Sequence, residues 1–362
     1  MTNNENKVKE PLFHITKRAA MPWKKAWGIR LIAIFASLIF CGLLSLIVIG
    51  ANPIDFYSAL LKGSLGSTRK IWKFVKDASV LLCISLAVTP AFRMKFWNTG
   101  AEGQTLMGAL ATCMFYLGGK VPDSLLIVIM LAAALLAGGI WGTIPAIFKA
   151  IWGTNETLFT LMMNYVATCL VSFCLIVWTP NGSSSLGILP FGHLPSIGNE
   201  YLLIILITVA LTIGMYVYLC YSKHGYEISV VGESFKTACY IGIDVKKVII
   251  RTMIVSGVLC GLAGFLIVGG LDHSVTTETV GGRGFTAIMV SWLAKFNPAI
   301  MALTSLFIVF LSQGAAQVSQ NFDISPAFPD MITGIILFFI IGCEFFIDYK
   351  VNFRSRKKGG EQ

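Results

Sequence analysis

Long apolar runs without charge recur along the chain and are separated by short polar segments. The first of them, Leu31 to Ala51, has 21 residues and no charged side chain. A transmembrane helix needs about 20 apolar residues, whereas the core of a signal peptide has about 7–15. We therefore predict that this run is an uncleaved first span.

Ten runs of this kind predict ten membrane-spanning helices. The second and the eighth are short. We expect them to be broken, tilted or re-entrant, which is tolerated only where protein or water covers the backbone. The predicted spans are 31–51, 78–92, 103–119, 124–148, 157–178, 201–221, 250–270, 284–294, 299–318 and 330–347.

The composition supports this interpretation. Of the 362 residues, 56% are hydrophobic and 13% are charged, whereas a soluble domain carries about 25% charged residues. These values argue against a soluble globular enzyme, a disordered chain and a disulfide scaffold. The expected fold class is an all-α polytopic membrane protein with about ten transmembrane helices.

The distribution of charge predicts the orientation of the chain. The net charge of +10 could indicate nucleic-acid binding, but membrane proteins also concentrate Lys and Arg in cytoplasmic loops. We therefore expect membrane lipid, and no nucleic acid, as a partner. With the N-terminus in the cytoplasm, 21 Lys and Arg fall inside and seven outside, five of these in the amphipathic stretch 52–77. We expect that stretch on the membrane surface and both termini inside.

This topology divides the chain into a cytoplasmic N-terminal segment (1–30), a transmembrane domain (31–348) and a basic cytoplasmic tail (349–362). The longest inside loop covers 222–249. Its run from Glu233 to Tyr240 can form two helical turns that place Phe235 and Cys239 on one face. Such a helix could dock onto a partner, or it could be a solvated connector on the membrane surface.

The sequence contains none of the common catalytic or nucleotide-binding signatures. The glycine-rich pieces at 63–70 and 281–284 lack the spacing that cradles phosphates, and neither H-E-x-x-H nor G-x-S-x-G occurs. The four His are scattered and the nine Cys form no C-x-x-C pair. We expect no catalytic residues, no metal site and no cofactor in this chain. If ATP drives it, another chain must hold the ATP.

The polar residues at membrane depth are the functional candidates, because they are costly and rare there. One cluster is Asn98, Glu102 and Gln104, among the glycines at 100 and 103. These side chains could line a solute pathway near the inside end of the third span. Alternatively, Asn98 is a helix N-cap and Glu102 faces the positive end of that helix.

A second cluster is Asn155, Glu156 and Asn164, with Tyr165 beside it. Asn164 follows Glu156 by eight residues, which is about 80° around a helix, so both could border one pathway for a polar, ring-bearing solute. The alternative is structural: Asn155 caps a helix and Asn164 bridges two helices.

Five segments, in order, resemble the inner-membrane permeases of ABC importers for branched-chain amino acids, simple sugars and nucleosides. The run from Phe96 to Gly108 is similar to the N-I-G-x-E-G-Q signature of that family, with Trp97 and Thr99 as departures. The resemblance covers about residues 30 to 345. The other four segments are 155–165, which is similar to the nucleoside-type branch, 231–243, 256–264 with Cys260 as a departure, and 282–298.

This resemblance implies an assembly in the inner membrane of a bacterium. A second permease subunit, homologous or identical, would complete the pathway. Cytoplasmic ATP-binding subunits would drive it, and an extracytoplasmic solute-binding lipoprotein would deliver the solute. Residues 232–243 would insert into the ATPase, with Gly232, Glu233, Ala238 and Gly242 at the coupling contact. Glu233 departs from the Asn that is often found there.

The resemblance thus implies a permease that imports a small polar solute, most of all nucleosides, with ribose-like sugars as the alternative. A gradient-driven secondary transporter without an ATPase is the rival from another class. The chief intramembrane acids are Glu102 and Glu156, so few acidic side chains are available to form a proton relay. An intramembrane enzyme is disfavoured, because no nucleophile–base pair or metal constellation is present.

Overall fold

A computed structural model describes most of the chain, and its regular structure is almost entirely helical. The ends of the N-terminal segment (1–12) and of the basic tail (354–362) lie outside the described residues, as do 115–121 at the end of the predicted third span. The described residues are 13–18, 21–50, 52–114, 122–179, 185–189, 192–195, 198–325 and 327–353.

Within these ranges the chain forms thirteen α-helices and one pair of strands. The strands are β1 (Phe13–Lys17) and β2 (Tyr349–Phe353). The helices are α1 (Trp23–Ile49), α2 (Pro53–Leu65), α3 (Thr68–Arg93), α4 (Ala101–Cys113), α5 (Asp123–Trp152), α6 (Glu156–Trp178), α7 (Leu202–Tyr221), α8 (Lys223–Glu233), α9 (Phe235–Tyr240), α10 (Val245–Ile267), α11 (Arg283–Leu293), α12 (Pro298–Phe322) and α13 (Ala327–Asp348).

The expectation of an all-α membrane protein is confirmed, whereas the count of about ten spans is not. Among the described residues, six helices are long and apolar enough to cross a membrane: α1, α5, α6, α7, α10 and α12. The described helices α4 and α11 have 13 and 11 residues. They are therefore about 20 Å and 17 Å long, less than the roughly 30 Å of a bilayer core.

One compact unit combines the chain up to Ser64 with the chain from Leu311 onward. Here Arg30 of α1 forms an ion pair with Glu344 of α13, with 2.6 Å between Nε and Oε1. Strands β1 and β2 pair antiparallel, with Phe13 opposite Phe353. This ribbon was not predicted. It brings residues 13–17 beside residues 349–353.

The predicted surface stretch 52–77 instead contains α2 and the first turns of α3. Phe56, Ala59 and Leu60 of α2 are buried. A Cβ atom at Gly63 would lie 2.8 Å from the Cα atom of Gly314 in α12. Helix α2 therefore packs directly against a neighbouring helix, as its buried apolar face requires.

The second compact unit, Leu65–Phe310, is organised around α10. Helix α10 packs against α3, α4 and α5. A Cβ atom at Gly108 would lie 2.6 Å from the Cα of Gly261, and one at Gly138 would lie 2.7 Å from the same atom. Helices α4, α5 and α10 thus touch backbone to backbone, a packing mode that small residues permit in membranes.

A loop covers the C-terminal end of α10, where the helix finishes in a π-helical turn, Val268–Asp272. The amide of Leu189 donates to the carbonyl of His273 at 2.7 Å, and the amide of Leu194 donates to that of Gly269 at 2.9 Å. The His193 and His273 rings lie 3.9 Å apart. These contacts hold the described parts of the long polar loop between α6 and α7 against the end of α10.

The opposite end of α10 carries the predicted long inside loop, which is helical and packed. Buried residues of α8, α9 and α10 form one apolar cluster with residues from the end of α3. The members of this cluster include Ala91, Met94, Phe96, Ile228, Val231, Ala238, Val245, Val248 and Met253. The α8–α9 pair is therefore part of the helical unit and not a loose connector.

Candidate functional site

The turn between α3 and α4 is held by its own backbone. The amide of Phe96 donates to the carbonyl of Ala91 at 2.9 Å, and Lys95 takes a left-handed φ of 61°. This is a Schellman-type helix end, in which glycine is the usual residue at the left-handed position. Helix α11 ends in the same way, with Lys295 at φ 50° and the amide of Phe296 donating to Ser291.

Asn98 and Gln104 form a buried amide pair at the start of α4. The Gln104 Nε2 donates to Asn98 Oδ1 at 3.1 Å, and the Gly100 amide donates to the same oxygen at 3.1 Å. The Asn98 Nδ2 donates to the Ser256 hydroxyl of α10 at 3.2 Å. Asn98 therefore fixes the first turn of α4 and ties it to α10.

Asn164 joins α6 to the same turn. Its Oδ1 accepts from the Gly103 amide at 2.9 Å and its Nδ2 donates to the Thr99 carbonyl at 2.9 Å. A Cβ atom at Gly103 would lie 2.8 Å from Asn164 Oδ1, so the glycine makes room for the bond. In this conformation Asn164 is 6% exposed and bridges two helices.

Glu102 caps the N-terminus of α11. Its Oε1 accepts from the Gly282 amide at 2.8 Å and its Oε2 from the Gly284 amide at 2.7 Å. A carboxylate is favourable there because the first amides of a helix have no intrahelical acceptor. The two oxygens satisfy two of those amides.

This contact limits how the predicted eighth span can lie. In the predicted order of spans, Glu102 lies near the inside surface and residues 281–285 lie in an outside loop, yet the two are hydrogen-bonded. Both placements cannot hold if 284–294 is a full span. Helix α11 is instead a half-helix of about 17 Å. The segment before it re-enters the protein, in line with the expected broken or re-entrant eighth span.

Asn155 and Glu156 lie at the N-terminal end of α6, beside the end of α5. Asn155 is an N-cap whose Oδ1 accepts from the Leu158 amide at 3.2 Å. Glu156 Oε2 lies 2.7 Å from Lys149 Nζ of α5. Of the six predicted pathway residues, the structure thus gathers Asn98, Gln104 and Asn164 around the start of α4. Glu102 faces α11, and the other two face the α5–α6 turn.

The four predicted coupling residues differ in exposure. A Cβ atom at Gly232 would collide with the Arg93 carbonyl, so α8 sits directly on the end of α3. Ala238 is fully buried. Both lie inside the protein's own core in this conformation, and their part in a coupling contact stays a prediction. Glu233 is exposed, and Gly242 forms the turn after α9 with φ 84°.

The surface that α9 presents is apolar and aromatic. Phe235, Tyr240 and Ile241 are 60%, 92% and 50% exposed. The predicted partner face of Phe235 and Cys239 does point outward. Exposed large side chains clustered in this way are typical of a protein–protein contact.

Charge pairs hold the α8–α9 pair in place. Arg251 Nη2 of α10 donates to Glu227 Oε2 of α8 at 2.8 Å, and this hydrogen bond lowers the pKa of Glu227 below its ordinary value. Asp244 caps α10 by accepting from the Lys247 amide at 3.2 Å, which lowers the pKa of Asp244. Both ends of the loop are therefore anchored by ionised carboxylates.

Sequence reasoning missed the contacts between α3 and α11. The Ser291 hydroxyl donates to the Ser85 carbonyl at 3.0 Å and lies 3.3 Å from Thr89 Oγ1. At the ends of these helices the Trp97 and Trp292 rings stack at 5.4 Å, and both are about half exposed. Small hydroxyl residues within apolar runs are the signal that could have indicated such a helix contact.

These features define a class of protein: a multi-pass membrane protein with a buried polar centre and an exposed apolar helical surface. Within the described residues, no group of three or more His, Cys, Asp and Glu is arranged to hold a metal ion. Residues 70–341 match the family model for the permease component of branched-chain amino acid transport systems. The chain belongs to this family, and it is a transport subunit and not an enzyme.

Several characterised permeases are similar over most of the chain. The glucose ABC transporter permease TsgB13 of Haloferax volcanii is 26% identical over 95% of this chain and 94% of its own length. The guanosine ABC transporter permease NupP of Bacillus subtilis is 27% identical over 91% and 96%. The nucleoside ABC transporter permease NupB of Lactococcus lactis is 26% identical over 83% and 86%.

Proposed function

We propose that this chain is the permease subunit of an ATP-driven ABC importer that carries nucleosides across the cytoplasmic membrane of a bacterium. ATP would be hydrolysed on separate cytoplasmic subunits. A second permease would complete the pathway, and an extracytoplasmic lipoprotein would deliver the solute. The family match and the guanosine and nucleoside permeases among the relatives support this proposal.

The exposed surface of α9 is the observation that carries the proposal. Phe235, Tyr240 and Ile241 project from a helix pair whose other face is built into the ends of α3 and α10. A partner that moves α9 would therefore also move α3 and α10, since they share one apolar cluster. An ATPase bound at this surface could transmit its closure to the membrane helices.

The six polar residues enter the proposal as parts of the pathway or its inner gate. Asn98, Gln104 and Asn164 would set the position of α4, and Glu102 would set that of α11. Asn155 and Glu156 would fix the entry of α6. These residues would keep their present hydrogen bonds in one transport state and change partners in another. Elements with two stable arrangements respond to a bound partner in this way.

Sugar import is the second candidate. The glucose permease of Haloferax volcanii matches over 95% of this chain, as broadly as the nucleoside relatives do. Both kinds of solute are small and rich in hydroxyl groups. Nucleosides also carry a flat apolar base.

Reconstitution of the full transporter tests the proposal. The chain is purified from its host with its partners, placed in proteoliposomes, and assayed with radiolabelled guanosine, ribose and glucose, with and without ATP inside. We expect ATP-dependent guanosine uptake that unlabelled nucleosides inhibit and sugars do not. Preference for a sugar would overturn the nucleoside assignment. Uptake driven by a proton or sodium gradient, without an ATPase, would overturn the assignment to an ATP-driven importer.

A further inference from the structure

A cavity of about 620 Å³ lies beside the α8–α9 pair, at the junction of α5, α6 and α10. Its lining combines apolar side chains with five charged ones. The charged residues are Lys95, Lys149, Lys246, Glu156 and Glu233. The cavity is distinct from the buried amide cluster at the start of α4 and contains none of that cluster's side chains.

The cavity lining has three lysines and two glutamates, an excess of one positive charge. Lys149 is paired with Glu156 at 2.7 Å. Lys95 and Lys246 form no ion pair with any residue that the structure describes. Lys95 also occupies a left-handed backbone position, φ 61°, where glycine would fit with less strain.

An apolar groove begins at the same α5–α6 turn. The cavity reaches Gly153 and Glu156 of this turn, and the groove, of about 360 Å³, reaches Thr154 and Asn155. The groove then follows α6, and its lining is almost entirely apolar. Its α6 residues are Leu158, Phe159, Met162, Met163 and Val166.

The aromatic residues around the cavity and the groove indicate that both lie at the level of lipid headgroups. Trp152, at the end of α5, is 64% exposed. Its ring belongs to a cluster in which Phe148 lies 4.9 Å from both Trp152 and Phe159. Exposed tryptophan at the end of a spanning helix marks the membrane–water interface. The cavity therefore opens where phosphates lie, and the groove extends towards the hydrocarbon region.

We propose that the cavity and groove form a binding site for an anionic phospholipid. The phosphate lies between Lys95 and Lys246, and one acyl chain lies in the groove along α6. A basic pocket between membrane helices attracts anionic headgroups, and an adjoining apolar groove accepts the chain that a free phosphate lacks. This site goes beyond the proposed function and holds for any transported solute. A bound lipid would contact the end of α8 and so support the α8–α9 surface.

Native mass spectrometry of the full chain tests the site. The protein is exchanged into detergent with phosphatidylglycerol or phosphatidylcholine, and the retained lipid is counted for three proteins: wild type, the double variant Lys95→Gln/Lys246→Gln, and the control Lys236→Gln/Lys247→Gln. The control makes the same charge change on exposed residues of the same surface.

We expect wild type and control to retain phosphatidylglycerol over phosphatidylcholine, and the cavity variant to bind it about thirtyfold more weakly. Equal losses in the two variants would overturn the site, because they would show only a general effect of charge. Retention unchanged in the cavity variant would overturn it as well.

Two further measurements separate a lipid from a free phosphate. Inorganic phosphate and glycerol phosphate, added at millimolar concentration, should leave bound phosphatidylglycerol in place. Displacement by either would overturn the lipid assignment. Met163→Asn, in the groove, should weaken phosphatidylglycerol retention without changing the melting temperature. If it leaves retention unchanged, no acyl chain lies along α6.

Discussion

The start of α4 and the α8–α9 pair differ in which side chains they bury and which they expose. At the start of α4, Asn98, Gln104 and Asn164 are buried and each makes at least two hydrogen bonds. On α9, the aromatic residues Phe235 and Tyr240 are exposed. Polar side chains thus bind helices together inside the membrane domain, whereas apolar side chains are presented to the outside of the α8–α9 surface.

The difference follows from what surrounds each region. A buried polar atom without a partner costs about 1–3 kcal/mol, so residues at membrane depth must be paired within the chain. An exposed aromatic side chain in water has no such requirement until a partner covers it. Substitutions in the polar centre should therefore lower the stability of the protein. Substitutions on the α9 surface should instead weaken coupling to a partner.

The largest effect should come from Glu102→Ala. It removes the acceptor for two amides of α11 and should cost about 3 kcal/mol, because hydrogen bonds to a charged group are the strong ones. We expect a sharp loss of folded protein in thermal unfolding and of uptake. Glu233→Ala, at an exposed carboxylate, is the matched control for the melting temperature. Equal melting temperatures for the two variants would contradict the capping role.

Asn164→Ala should have the next largest effect. It removes two hydrogen bonds between α6 and α4 and should destabilise the protein by about 2 kcal/mol. Solute uptake should fall as well. Asn155→Ser, which keeps a helix cap at the start of α6, should stay close to wild type in both assays. Near-normal uptake by Asn164→Ala at normal expression would show that Asn164 has no part in the pathway or gate.

The Arg251–Glu227 pair should contribute less, about 0.5 kcal/mol, because it lies at an aqueous face. The pKa of Glu227 is lowered in the folded protein, so its stabilisation is present above the ordinary glutamate pKa and is lost as the pH falls through the folded value. Glu227→Gln should therefore narrow the stability difference between neutral and acidic pH. A pH dependence identical to wild type would show that the pair is not formed.

Tyr240→Ala should leave the melting temperature unchanged, since the side chain is 92% exposed. If α9 meets an ATPase, stimulation of ATP hydrolysis by the loaded binding protein should fall several-fold, because a buried tyrosine at an interface often contributes strongly. Tyr226→Ala, at an exposed tyrosine of α8, serves as a comparison. Full stimulation in Tyr240→Ala would place the contact elsewhere.

The long helices could be predicted from the sequence because they are apolar around most of their circumference. Hydropathy therefore found α1, α5, α6, α7, α10 and α12. It marked the eighth span as short, but it could not show that the amides of Gly282 and Gly284 are satisfied by a residue about 180 positions earlier. The β1–β2 ribbon was missed for the same reason, since each strand pairs with the far end of the chain.

Pattern also could not assign the polar residues to roles. An asparagine such as Asn164 has the same donor and acceptor whether it meets a solute or a neighbouring helix. Only the position of the Gly103 amide and the Thr99 carbonyl shows which partner it has in this conformation. In residues 233–240 the spacing identified the outward face of Phe235, but not the depth at which Ala238 is buried.

The capped half-helix has a consequence for how the protein is made. Helix α11 is too short to be recognised as a membrane segment by its own apolar length, and its first amides would be bare in lipid. Glu102, which covers two of them, is synthesised long before α11 leaves the ribosome. We therefore expect α11 to insert after α4 is in place, because Glu102 of α4 provides the acceptors for its first amides.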